Sequence, residues 1–341
     1  ETSSVLIRQH QLAYVKPHPA WTAHHQTAQA PNNDLVTIPA GQVTLGKSKD
    51  DAYYGWDNEY GQHHADVASF QASRYLVSNQ EFLAFVADNG YQQAAYWSEE
   101  GWAWREFAQA QYPTFWRKQG HNWQLRLMTE EIPMPWDWPV EVNYHEAKAF
   151  CQWLSQQQQQ QIRLPSEDEW QRLYQHAQLD HPSASQRCQA NLHLDYAASA
   201  CPVTQFQHGE LFDVVGNVWQ WTETPTYPFT GFDVHPIYDD FTTPTFDDRH
   251  NLIKGGSWIS CGNESHHNSR YAFRRHFFQH AGFRYIVADH QPVSVSSRYE
   301  TDKHMSEYAE FHYGDSYFGV ANFSQSLAQL AIAQMGNRPA R

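Results

Sequence analysis

Between His181 and Asp248 the chain carries neither the 3.6-residue nor the 2-residue period of half-buried elements. Pro, Gly, Thr and Asp recur there among Trp, Tyr and Phe. An irregular stretch of this length is functional or disordered, and its density of rings argues against disorder. The composition points the same way: 15% of the 341 residues are aromatic, 14 of them Trp, and 41% are hydrophobic. A fold for this chain must bury rings between loops, with aromatics filling much of the core.

Regular elements flank that stretch. "LVTIPAGQVTLG" (Leu35 to Gly46) reads as two short strands around Pro39-Ala40-Gly41. "VSNQEFLAFVADNG" has Ser78 three residues before Glu81, the spacing of a capping box. Phe82, Phe85 and Val86 form its apolar stripe, and Gly90 ends it. "NYHEAKAFCQWLSQQ" sets Ala147, Phe150, Cys151 and Leu154 on one helix face and runs into the glutamines Gln156 to Gln161, a solvated helix end. "LPSEDEWQRLYQHA" repeats the capping pattern with Ser166 and Glu169. "NLIKGGSWIS" and "HAGFRYIVA" read as strands. Before Asp34, "SSVLIRQ" reads as the close of a helix, followed by an extended linker in which Pro17 and Pro19 prevent regular structure. From Ser294 a polar and aromatic tail begins, and "FSQSLAQLAIAQMGNRPAR" reads as a helix stopped by Gly336 and Pro339.

Twenty-three basic against 37 acidic residues give a net charge of -14, which argues against nucleic acid as a partner. Cys151, Cys188, Cys201 and Cys261 have no CxxC spacing and are too few for a disulfide framework, so a reduced, cytoplasmic protein is expected. No apolar run approaches the roughly 18 residues that span a bilayer, so no membrane partner is expected. No signal peptide is read. The chain starts Glu1-Thr-Ser-Ser without Met, as a piece of something longer would.

Twenty-one histidines invite a metal site, but pairs such as His63-His64 and His266-His267 are adjacent, and no HxxxH or HExxH spacing occurs. No metal ligand is therefore assigned within the chain. "DVVGNVWQWTETP" (Asp213 to Pro225) reads as a tight Gly-Asn turn with Trp219 and Trp221 packed in the core. "GWDNEYG" (Gly55 to Gly61) reads equally as an acidic pocket wall or as Asx-turn chemistry. His266 to Ile286 combines four histidines, four arginines and six rings. Arginines held by rings can grip a carboxylate bidentately. They can equally form a framework of cation–π contacts and ion pairs.

"IPAGQVTLG", "RYLVSNQEFLAFV", "PVEVNYHEAKAFCQWL", "RLPSEDEW", "DVVGNVWQWT", "KGGSW" and "AGFR", in this order, resemble the formylglycine-generating-enzyme superfamily over Leu35 to Asp289. The resemblance implies an α+β, C-type-lectin-like fold with low regular secondary structure. His266 and Tyr271 match the positions of that enzyme's copper-binding cysteine pair, so its own activity is not expected. Some relatives bind calcium around a Gly-Asn-Val-Trp-Glu-Trp turn, where this chain has Gln220 in place of Glu.

"YYGWDNEYG" is similar to a signature of the iron-dependent sulfoxide synthases of thiol-histidine biosynthesis. "HPIYDDFTTPTFD", "ISCGNESHHNSRYAFRRHFFQHAGFRY" and "YETDKHMSEYAEFHYG" resemble the ovothiol branch, the 5-histidylcysteine sulfoxide synthases. The resemblance implies the end of a helical DinB-like domain and a linker at 1–34, a formylglycine-generating-enzyme-like domain at 35–290, and a tail towards a methyltransferase domain at 291–341. Glu1 then closes an HxxxHxE iron motif whose histidines lie upstream. The implied cofactor is Fe(II) with O2 as co-substrate, and the chain alone is expected to be inactive. The implied substrates are histidine and cysteine, small zwitterions that need cations, acceptors and rings around them. The residues matched to substrate binding are Gln279, His280 and Arg284, with Arg274 beside them. The active-site tyrosine matches Tyr238, with Tyr227 as the second choice, and its phenol would donate a proton or hydrogen bond to the reacting oxygen. The ergothioneine branch and a non-catalytic lectin-like binding domain are the alternatives.

Overall fold

Helix caps do in the structure what their spacing predicts. The computed structural model describes residues 2–10, 16, 23, 28–179 and 190–288. Helix α1 (Thr2–His10) is followed by strands β1 (Leu35–Ile38), β2 (Gly41–Leu45), β3 (His63–Val67) and β4 (Phe70–Ser73). Helix α2 (Asn79–Ala87) starts at Ser78, whose hydroxyl accepts from Glu81 N at 3.1 Å. The Glu81 carboxylate accepts from Asn33 Nδ2 at 3.0 Å. Helix α3 (Glu99–Ala108), which the periodicity does not announce, is capped by Ser98. A small sheet of β5 (Trp116–Gln119), β6 (Asn122–Arg126) and β7 (Glu131–Pro133) follows. Helix α4 (Tyr144–Gln158) has a full capping box between Asn143 and Glu146, and it stops at Gln159 in a left-handed conformation, so the glutamine run straddles its end. After β8 (Ile162–Arg163), α5 (Glu167–His176) carries the second full box, from Ser166 and Glu169.

The loop-rich half then supplies β9 (Gln207–His208), β10 (Leu211–Phe212), β11 (Trp219–Pro225), β12 (His250–Lys254), β13 (Tyr271–Arg274), β14 (Ala281–Gly282) and β15 (Ile286–Val287). Two four-stranded sheets organise it, in the orders β1-β4-β15-β8 and β13-β12-β11-β14. "NLIKGGSWIS" is a strand only as far as Lys254, because Gly255 and Gly256 take φ of +95° and +79°. "HAGFRYIVA" is two strands in different sheets. The break falls at Arg284, which is fully buried. Its Nη1 donates to the Ser73 and Arg74 carbonyls and its Nη2 to the Phe212 carbonyl. Burial lowers this guanidinium to about 10, against the nearby Asp213.

Rings fill the core as the composition requires. Trp116, Trp138, Trp170, Trp219, Trp221 and Trp258 are all buried, and Phe82 lies stacked on Phe150, with centroids 5.4 Å apart. Trp219 and Trp221 occupy the places expected of them, with Trp221 Nε1 donating to the Val142 carbonyl at 3.0 Å. At about 25 cal/mol per Å2, a ring burying on the order of 200 Å2 contributes roughly 5 kcal/mol. In the preceding turn Gly216 and Asn217 have φ of +82° and +68°. Gln220 Nε2 donates to the Asp213 and Val214 carbonyls, so the residue at the calcium-glutamate position acts here as a donor. Val5 of α1 packs into the same core as Phe115 and Trp258. Among the described residues no helix is long and apolar enough to cross a membrane. The expected tail helix and most of the linker before Asp34 lie outside the described residues, as does Cys188.

The loops are pinned by one buried cluster. Arg270 donates from Nε and Nη2 to the two Glu167 oxygens at 2.9 and 3.0 Å, and from Nη1 to the Asn58 and Tyr227 carbonyls. Its guanidinium lies 3.8 Å from the Phe229 centroid. Lys254 Nζ approaches the same carboxylate at 3.3 Å and donates to the Ser269 carbonyl. Glu167→Gln removes the counter-charge that both buried cations contact, and breaking such a pair costs about 3–5 kcal/mol. Urea denaturation at pH 7 should show a loss of this size; a variant within about 1 kcal/mol of wild type would remove the cluster from its structural role.

Candidate functional site

The "GWDNEYG" motif is a 3-10 turn whose polar side chains face inward. Asp57, Asn58 and Glu59 are all buried. Asp57 Oδ1 accepts from Asn58 N at 2.9 Å and from the Thr242 hydroxyl, and Oδ2 accepts from His235 N at 3.2 Å. Asn58 Nδ2 donates to the Arg270 carbonyl at 2.8 Å. Glu59 Oε1 accepts from Trp56 N, and burial lifts this carboxyl to about 7. Neither reading of the motif is realised as such: Asp57 accepts from the next residue's amide rather than two residues on, and its remaining bonds, with that of Asn58, tie the turn to the 235–242 loop and to Arg270.

Trp56 stands at the centre of a ring wall. Its centroid is 4.5 Å from Phe241 and 6.1 Å from Tyr238, and its Nε1 donates to Tyr271 Oη at 3.3 Å. Tyr271 in turn lies 5.7 Å from the Trp219 ring, and Trp219 N donates to the His280 carbonyl. The wall thus connects Tyr238 to His280 through a chain of contacts.

His280 is fully buried against the Trp258 ring. Its Nε2 is 2.6 Å from the Ser4 hydroxyl of α1, and its Nδ1 lies 3.1 Å from Glu141 Oε2 and 3.0 Å from Arg8 Nη1. Arg8 closes the group, with Nη1 donating to Glu141 Oε2 at 2.5 Å and Nε to the Arg126 carbonyl. Burial raises the Glu141 carboxyl, but the Arg8 charge and His280 outweigh it and hold the group down to about 2. A narrow cleft beside the group is lined by Arg8, Glu141, Met128, Ser199 and Trp258. Arg8 Nη2 is buried and has no hydrogen-bond partner among the described residues.

The sequence-predicted residues fall in different surroundings. Gln279 is buried next to His280. Arg284 is bonded to framework carbonyls and belongs to neither the ring wall nor the cleft. Arg274 is exposed at the end of β13. Tyr238 is half-exposed on the loop after His235, whereas Tyr227 is buried under the Arg270 guanidinium. His266 and Tyr271 are not a ligand pair: the His266 ring lies 4.5 Å from the His267 ring, and the Tyr271 hydroxyl accepts from Trp56. Ser4, Arg8, Asp57 and Glu141 were missed. Only Asp57 had a local signal, its place in the acidic "GWDNEYG" motif.

The depressed Glu141 carboxyl contributes stability that is fully present above its ordinary 4.5 and is lost as the pH falls towards about 2. Glu141→Gln should be less stable than wild type by about 3 kcal/mol at pH 7, and the gap should close below pH 4. Denaturation of both proteins from pH 2 to 7 measures it; parallel curves would mean that the ion group does not stabilise the fold.

A profile of the sulfatase-modifying factor enzyme 1-like domain (FGE-sulfatase) matches residues 21–289. Hercynine oxygenase of Mycobacterium tuberculosis is 32% identical over 266 residues, 70% of this chain and 57% of that protein. Ergothioneine biosynthesis protein 1 of Schizosaccharomyces pombe is 25% identical over 280 residues, 78% of this chain and 32% of that protein. The chain therefore spans less than two thirds of either relative's length. Among solved structures, PvdO from Pseudomonas aeruginosa superposes with a TM-score of 0.50 at 20% identity, over 74% of this chain and 93% of that one, a likeness of fold. The chain belongs to the sulfatase-modifying factor enzyme 1-like family and has its α+β fold.

Proposed function

We propose that this chain is the formylglycine-generating-enzyme-like domain of an Fe(II)- and O2-dependent sulfoxide synthase of the ovothiol type. Cysteine and histidine are the substrates. The thiol loses its hydrogen, an imidazole carbon loses its hydrogen, a carbon–sulfur bond forms, and O2 supplies one oxygen to sulfur and one to water. The observation that carries this reading is the 32% identity with a hercynine oxygenase over 70% of the chain. The choice of branch rests on the "HPIYDD" and "SHHNSRYAFRRHFFQHAGFRY" segments.

Iron, when bound, supplies the means to activate O2. Among the described residues no three His, Cys, Asp or Glu side chains are grouped to hold a metal ion. The described residues do not fit an iron site by themselves. In the proposed reading its ligands come from a helical domain outside this chain, and a methyltransferase domain is joined to the tail. This chain's own contribution is binding and water exclusion. Arg8 lies beside the cleft, Gln279 is buried next to His280 in the chain, and Trp56, Tyr271 and Trp219 form an apolar wall.

The identity with hercynine oxygenases favours a second reading, the ergothioneine branch, with trimethylhistidine as acceptor and glutamyl-cysteine as a donor. The full-length enzyme, assayed with Fe(II) and O2, should consume oxygen and form 5-histidylcysteine sulfoxide from cysteine and histidine by mass spectrometry. Product from trimethylhistidine alone would overturn the branch. No oxygen uptake dependent on both substrates would leave a binding domain.

On this reading Tyr238, half-exposed with its ring against Trp56, is the proton or hydrogen-bond donor. General acid help is worth roughly 10²–10⁴-fold, enough for oxidation of cysteine alone to compete once it is lost. Tyr238→Phe in the full-length enzyme should still consume oxygen but form more cysteine sulfinic acid and less coupled sulfoxide. An unchanged product ratio, with a changed one in Tyr227→Phe, would transfer the role to Tyr227.

A further inference from the structure

We propose that Asp57 is a positioning residue for Tyr238: one buried carboxylate ties both ends of the 235–242 loop and thereby sets where the phenol stands. The inference rests on the reading of the chain as a sulfoxide-synthase domain.

Besides ring contacts to Trp56, few hydrogen bonds hold the loop to the domain. No strand runs through it, and Ile237 and Tyr238 are 89% and 47% exposed. Segments with few buried apolar contacts open at low free energy. Within the loop, His235 Nδ1 accepts from Ile237 N at 3.2 Å and Tyr238 N at 3.0 Å, which shapes the turn but does not fasten it to the domain. The fastening is at the ends. His235 N donates to Asp57 Oδ2 at 3.2 Å, and the buried Thr242 hydroxyl donates to Asp57 Oδ1. Asp57 is itself 3% exposed and fixed by the 3-10 turn, whose next residue holds the Arg270 carbonyl. The carboxylate is therefore a rigid post. Bonds to a charged acceptor are stronger than neutral ones. Between the two ties, Trp56 stacks on Phe241 and Phe241 on Tyr238, with centroids 4.5 and 5.2 Å apart. The carboxylate fixes the ends of the loop and the rings fix its middle, so the phenol's position depends on both.

Two variants separate this from a general role in folding. Asp57→Asn keeps the shape but replaces one acceptor oxygen by an NH2 group. Thr242→Val removes one tie from the loop side and leaves the turn intact. In the full-length enzyme with Fe(II), O2, cysteine and histidine, each should shift the ratio of coupled sulfoxide to cysteine sulfinic acid in the same direction as Tyr238→Phe. Neither should shift it further in the Tyr238→Phe background, the non-additivity expected of residues acting through one group. Limited chymotrypsin digestion reads the tie directly: Thr242→Val should raise the initial rate of cleavage after Tyr238 or Phe241 about tenfold, the equilibrium effect of one such hydrogen bond. A wild-type product ratio in folded Thr242→Val and Asp57→Asn, or an equal shift in the Tyr238→Phe background, overturns the positioning role. A wild-type enzyme that forms no coupled product instead sinks the functional reading, and unchanged cleavage then overturns the tie itself.

Discussion

The bidentate contact between Arg270 and Glu167 is the interaction on which the loop-rich half depends. It joins the first turn of α5 to the residue preceding β13, and the remaining donor of Arg270 reaches the Asn58 and Tyr227 carbonyls. Four segments far apart in sequence therefore meet at one guanidinium. Burying these charges is unfavourable by itself. It is tolerated because both Glu167 oxygens are bonded, Lys254 adds a second cation, and Phe229 offers a ring face at 3.8 Å. The "GWDNEYG" turn stands on this cluster through Asn58, and the Tyr238 loop stands on the turn through Asp57. Disorder at Arg270 would thus propagate to the ring wall without any change in the wall itself.

Local signals were legible and distant ones were not. Ser78 and Ser166 cap helices where the sequence places them, because a cap needs partners only three residues away. Trp219 and Trp221 were legible as core because no solvent-facing role suits a Trp pair flanking a buried turn. The split of "HAGFRYIVA" into two sheets was not legible, since its cause is carbonyls at Ser73, Arg74 and Phe212. Backbone carbonyls have no sequence signature. The seat of α1 failed for the same reason of distance: His280 meets Ser4 across 276 positions and Glu141 across 139. His280 stood out in the sequence, but its partners did not.

The candidate site has two independently held parts. The Asp57 turn holds the exposed loop with Tyr238, and the Arg8–Glu141–His280 group holds α1 beside a cleft. Trp219 joins them, through its ring to Tyr271 and through its amide to the His280 carbonyl. The first part is partly exposed and the second is buried. The charge of Arg8 is already met by Glu141 in the buried part, so the exposed part is the one an incoming molecule can reach.

The arginine-rich stretch now has a physical explanation that differs from substrate capture. A fold with few ladders leaves many buried carbonyls without amide donors, and each must be satisfied. Arginine, with five donors in a planar fork, is the side chain that can satisfy several at once. Arg284 takes three carbonyls, Arg270 two, and Arg275 donates to the Asp248 carbonyl, to Asn251 and to Glu100. Arg8 takes the Arg126 carbonyl, and Arg163 that of Leu164. Guanidinium groups here do the work that strand ladders do in regular sheets. It follows that a cation for a substrate carboxylate must be sought where a donor is left over. In the Arg270–Arg284 stretch the exposed arginine is Arg274, while the unpaired donors of Arg284 and Arg8 are buried.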